Sequence, residues 1–98
     1  MEVEFVDDSL RRLESDPGFD AGLGRDVVKA FRKRMQLIRN ARDERDFYAM
    51  RSQNFEKLKG KREGQHSMRL NDQWRLILEL VKRNDGKVVV IVEIADYH

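Results

Sequence analysis

The chain has 98 residues, 40% hydrophobic and 39% charged, with one Pro and no Cys. That length allows one domain, residues 1–98, with one modest core, and the balance excludes a disordered chain. The absence of Cys excludes disulfides and thiolate metal sites. The net charge of +2 hides an uneven distribution. Residues 1–26 carry 3 basic and 8 acidic groups, residues 27–69 carry 13 and 5, and residues 70–98 carry 4 and 5. A basic middle suggests a polyanionic partner; the competing reading is a solvated helix face plus a charged loop.

The opening MEVEFVDD has neither the basic flank nor the apolar stretch of a secretory leader. The longest aliphatic run, residues 88–92, is far short of the roughly 20 residues that span a bilayer. A cytoplasmic protein is expected, with no membrane partner.

Residues 2–6, EVEFV, alternate and predict a first strand. DDSLRRLES predicts a short helix with Asp8 or Ser9 as N-cap, stopped by Asp16-Pro17-Gly18. Val27, Phe31, Met35 and Ile38 then fall on one face of an amphipathic helix over residues 25–43. In residues 44–54, Phe47, Tyr48 and Met50 are expected to pack over the core edge. FEKLKGKREG supplies a short strand and a basic loop. QHSMRL, WRLILELVK and KVVVIVEIA, separated by the turn signals NDQ and NDG, predict an antiparallel meander. The fold class is α+β: a small antiparallel sheet with two N-terminal helices on one face.

With both turns taken as three residues long, Leu70 faces Trp74, Met68 faces Leu76 and His66 faces Leu78. In the second hairpin Leu80 faces Val90, Leu78 faces Val92 and Leu76 faces Ile94. These side chains form the core face, with His66 at its margin, where a hydrogen-bonded structural histidine is expected. On the other face Arg69 lies opposite Arg75, with Ala95 and Tyr97 beside them. Like charges opposed across strands are destabilising, so a bound phosphate would relieve a conflict that folding alone gives no reason to create. The alternative is that Glu79 or Glu93 neutralises the pair.

Arg69, Arg75, Tyr97 and His98, with Lys57, Lys59, Lys61 and Arg62 of KLKGKR nearby, are chemistry suited to RNA. No acidic cluster for Mg²⁺ and no zinc ligand set is apparent in the sequence, so no cofactor is expected. Cleavage by ribose 2′-hydroxyl attack needs a base, an acid and cations for the phosphorane. Imidazole carries protons near neutral pH, whereas a phenol is a poor base unless guanidiniums favour its phenolate, and it can instead stack on a nucleobase. Each group also has a structural reading: an exposed terminal imidazole, a Tyr packed on the sheet edge, a solvated lysine loop.

LKGKREGQHSMRLNDQWRLIL followed by EIADYH resembles the HigB branch of the RelE/ParE toxin superfamily, over essentially the whole chain. The resemblance implies a type II toxin that cuts messenger RNA in the ribosomal A site without a metal. It also implies neutralisation by a HigA-like helix-turn-helix antitoxin, through which alone DNA would be bound. By position, Lys59 matches the family's active-site lysine, Arg75 its phosphate-stabilising arginine, and Asp96, Tyr97 and His98 its closing catalytic triplet. His98 would be the leading acid/base, Tyr97 a stacking or base group, and Asp96 an orienting partner. Arg69, Lys57, Lys61 and Arg62 are candidate RNA contacts. Some HigB-like toxins carry a histidine three residues before the lysine; here Glu56 stands there, and a basic cleft would weaken a carboxylate as a base. The rival functions are a ParE-type poison that binds DNA gyrase without catalysis, and an inactive scaffold that binds only its antitoxin.

Overall fold

The computed structural model describes residues 1–97. β1 (Glu2–Phe5) leads to α1 (Asp8–Ser15), α2 (Arg25–Asn40) and α3 (Arg45–Ala49). A 3-10 turn (Arg51–Gln53), β2 (Glu56–Lys57) and a second 3-10 turn (Gly60–Arg62) precede β3 (Gln65–Arg69), β4 (Trp74–Arg83) and β5 (Gly86–Asp96). The strands form one sheet in the order β1-β5-β4-β3-β2. β2 to β5 pair antiparallel, but β1 lies parallel to β5, so the sheet is mixed. No hairpin joins β1 to β5, so nothing forces the antiparallel sense on that edge.

Local chemistry sets the helix ends. The carboxylate of Asp7, not Asp8 or Ser9, caps α1 by accepting the Ser9 N–H at 2.8 Å, and this bond holds its carboxyl below the usual range. Asp16 ends α1 and accepts the Gly18 N–H at 2.9 Å. α2 stops at Asn40, before the expected residue 43, because Ala41 is extended. The Met1 ammonium donates to the carbonyls of Ile38, Arg39 and Ala41 at 3.2, 3.0 and 2.7 Å, covering acceptors that a helix C-terminus leaves open. Asp43 instead accepts the Arg45 N–H and binds its guanidinium, which lowers its pKa to about 2.

The predicted stripe on α2 is the core stripe. Phe31, Met35 and Ile38 are fully buried, as are Met68, Leu76, Leu78, Val89 and Ile91 of the sheet face they cover. Phe47 joins this core and Tyr48, though 50% exposed, packs edge-on against buried Phe55 at 4.8 Å, whereas Met50 is 43% exposed.

The first hairpin has the predicted register: His66 pairs with Leu78, Met68 with Leu76 and Arg69 with Arg75. The second departs from it. Arg83 pairs with Gly86 around a two-residue turn, and Leu80 pairs with Val89 and Leu78 with Ile91, not with Val90 and Val92. Gly86, at φ +118°, adopts a backbone conformation that makes so short a turn accessible. A bulge between Ile77 and Leu78 takes up the extra residue on β5 and restores the expected Leu76–Ile94 pair. The core residues of β5 are therefore Val89 and Ile91, followed beyond the bulge by Ile94.

Candidate functional site

The sheet face away from the helices includes three cross-strand rows near the β3–β4 turn. Arg69, Arg75 and Ala95 form one; Glu56, Ser67, Ile77 and Glu93 form the next; Gln65, Glu79 and Val90 form the third. The guanidiniums of Arg69 and Arg75 stand on directly opposed residues, as the sequence predicts. Neither Glu79 nor Glu93 neutralises them. Arg69 is bridged to Asp72 in the β3–β4 turn, and the Arg75 Nη1 lies 3.8 Å from a Glu56 carboxylate oxygen. Glu79 instead accepts from the Gln65 amide at 3.1 Å, and Glu93 binds Arg62 at 3.2 Å.

Arg75 is set from three sides and its side chain is only 18% exposed. Its Nη1 donates to the backbone carbonyl of Asn54 at 3.4 Å. The Asn54 side-chain oxygen, in the orientation that satisfies both ends of the amide, accepts from the two terminal nitrogens at 3.2 and 3.1 Å. Asn54 has φ +48° and caps the Arg51–Gln53 turn; Asn tolerates this left-handed conformation better than most residues. The guanidinium carbon lies 5.7 Å from the centre of the Tyr97 ring.

The turn between β3 and β4 fixes Tyr97. The Asn71 side-chain oxygen accepts the N–H groups of Gln73 and Trp74 at 2.9 and 2.7 Å. The Gln73 carbonyl then accepts the Tyr97 N–H at 2.8 Å, and its amide donates to Asp96 at 3.0 Å. Tyr97 is 43% exposed, so part of it is open to solvent. Arg75, Tyr97, Arg69 and Glu56 thus converge at one end of the helix-free face, whereas Asp96, paired with Trp74, points to the other side of the sheet. His98 lies outside the described residues.

The basic loop divides. Lys57 pairs with His66 on the side of the sheet opposite Glu56. With Lys59 and His66 it lines a concavity of about 620 Å³ beside Gly60 and Gly64, away from the Arg75 pocket. Lys61 is exposed. His66 is 9% exposed and stacks flat on Phe55 at 5.0 Å, but its Nδ1 is buried without a hydrogen-bond partner, unlike the bonded imidazole expected. Burial, and secondarily the charge of Lys57, hold its pKa below the ordinary value. Sequence reasoning missed Asn54. A usable signal was an Asn just before a short strand, a position suited to positive φ.

The class of the fold is α+β: a mixed sheet with helices on one face and an Arg–Tyr site on the other. Among solved structures, the chain is similar to a YoeB/ParE toxin from Agrobacterium tumefaciens, with TM-score 0.64, 18% identity and all of both chains covered. It is also similar to YafQ from E. coli strain BL21(DE3), with TM-score 0.62, 14% identity, and 98% of this chain and 92% of that one covered. No curated protein matches. The model of the family described as RelE-like toxin of type II toxin-antitoxin system HigB matches residues 3–98, and the chain belongs to that family of HigB-like toxins. Membership in a type II system implies an antitoxin partner. No described helix is long and apolar enough to cross a membrane.

Proposed function

We propose that this toxin is an endoribonuclease that cleaves messenger RNA in the ribosomal A site, in the cytoplasm, and so arrests translation and growth. One observation carries the reading: a largely buried guanidinium, Arg75, held beside a partly exposed phenol on a helix-free face where a second arginine, Arg69, stands directly opposite. The fork of Arg75 suits a scissile phosphate, and the exposed part of Tyr97 suits a nucleobase. The ribose 2′-oxygen bonds to phosphorus and gives up its proton to a base. The 5′-oxygen leaves and receives a proton from an acid. The products are a 2′,3′-cyclic phosphate and a 5′-hydroxyl. His98, adjacent in sequence to Tyr97, is assigned to proton transfer, Asp96 to its orientation, and Arg75 to the charge on the phosphorane, while Lys59, in its separate concavity, is assigned to the RNA backbone. Lys57 and Lys61 extend the backbone path. A HigA-like helix-turn-helix protein is the antitoxin.

Primer extension on a translated transcript tests this. Cuts in frame with codons, continuing in EDTA when ribosomes are kept intact by other means, are expected. DNA damage with intact messenger would select the gyrase-poison reading instead.

A further inference from the structure

Ser67 and Ile77 are fully buried although they lie on the face that no helix covers, and the Ser67 hydroxyl has no hydrogen-bond partner. The side chain that crosses there is Arg62. Its Nη1 donates to the Gln65 side-chain oxygen on β3 at 3.0 Å, and its Nη2 lies 3.2 Å from a Glu93 oxygen on β5. β3 and β5 are separated by β4, and the β4 residue between Ser67 and Glu93 in register is Ile77. The guanidinium therefore spans β4 at the level of Ile77, two residues along the strand from Arg75. A long Arg stem can cover apolar surface while its head stays paired. The Gln65 acceptor is itself fixed, because its amide donates to Glu79 at 3.1 Å.

The loop that carries Arg62 runs between β2 and β3. It closes on itself through the Leu58 N–H to the Gln65 carbonyl at 2.9 Å. Gly60 and Gly64 sit at φ +67° and +91°, and a side-chain carbon added at either would meet nothing within 4 Å.

We propose that Arg62 is a positioning residue: its bridge to Glu93 straps the loop of residues 58–64 across the sheet, one cross-strand row from Arg75, and so sets where the loop's lysines stand relative to that guanidinium. Arg62 acts through the loop and not by touching RNA, an assignment that rests on the nucleolytic reading above. Small displacements of positioned groups cost up to about 10²-fold in rate, so a loosened loop lowers turnover without unfolding the chain.

The test compares the parent chain, Glu93→Gln, and the charge-exchanged double variant Arg62→Glu/Glu93→Arg. Two readouts are amide hydrogen exchange across residues 58–64 and cleavage kinetics on programmed ribosomes. Glu93→Gln is expected to speed exchange in the loop and to lower kcat by roughly tenfold with little change in KM. The double variant is expected to recover both. Unchanged exchange and unchanged kcat in Glu93→Gln would overturn the strap. So would a lower KM at unchanged exchange, the mark of an Arg62 freed to bind RNA. If the parent chain cleaves nothing while Arg75→Ala is equally silent, the nucleolytic reading falls, and the exchange measurement alone still decides whether Arg62 holds the loop.

Discussion

Replacing Arg75 by alanine separates folding from function. In the free protein the guanidinium makes a long 3.4 Å bond to a carbonyl, contacts the Asn54 amide oxygen, stands 3.8 Å from a half-exposed carboxylate and lies 5.7 Å from a ring centre. A long ion pair whose carboxylate is half-exposed contributes about 0–1 kcal/mol, and the hydrogen bonding and ring contact each about 1 kcal/mol. Removing the charge also relieves its opposition to Arg69, which offsets part of that loss. The net destabilisation is about 1–2 kcal/mol. Against a typical domain stability of roughly 5–15 kcal/mol, this leaves the chain folded, with a melting point lower by about 4–8 °C per kcal/mol. Losing a positioned donor to transition-state charge costs about 10²–10³ in rate, equivalent to roughly 2.7–4 kcal/mol. Activity should therefore collapse while folding survives. Induced growth arrest and primer extension read the first effect, and a thermal melt followed by circular dichroism reads the second. Arg75→Lys, which keeps the charge but loses the paired donors, should fall between alanine and the parent. A folded Arg75→Ala protein as toxic as the parent would refute the assignment.

His98→Ala is expected to abolish growth arrest while antitoxin binding in a pull-down is retained; full toxicity would remove His98 from proton transfer. Glu56→Gln is expected to keep toxicity, since the Glu56 carboxylate faces the Arg75 guanidinium and proton transfer is assigned to His98, and a loss of cleavage above 10²-fold would make Glu56 the base instead. Stability should fall as pH drops below about 6.5, because burial lowers the His66 pKa. The unfolded imidazole takes up its proton first, so protons favour the unfolded chain until the folded value is passed. His66→Phe, which can keep the stack on Phe55, should flatten the melting-point profile between about pH 7 and 5; an unchanged slope would assign that dependence elsewhere.

Much of this molecule was legible in its residues. The α2 stripe and the alternation of the three long strands state their periods directly, because helix and strand repeats follow from backbone geometry alone. The opposition of Arg69 and Arg75 followed from taking the Asn71–Gln73 turn as three residues long, which the structure bears out. The second hairpin was misread because Gly86 allows a two-residue turn whose one-residue offset a distant bulge then removes, and a bulge leaves no periodic trace. The family motif marked Arg75, Tyr97 and Lys59 as one set. In the fold, Lys57 and Lys59 line a separate concavity from Arg75, and Asn54 and Glu56 come to the guanidinium instead.

Sequence by itself determined which side chains share a face on α2, β3 and β4, where charge concentrates and which family the chain resembles. Tertiary structure decided which carboxylate meets which guanidinium: Glu56 with Arg75, Asp72 with Arg69, Glu93 with Arg62. The physical reason is reach. Periodicity fixes a residue's direction to within a face, but a long side chain chooses its partner across strands, loops and rows that only the assembled sheet brings within a few ångströms.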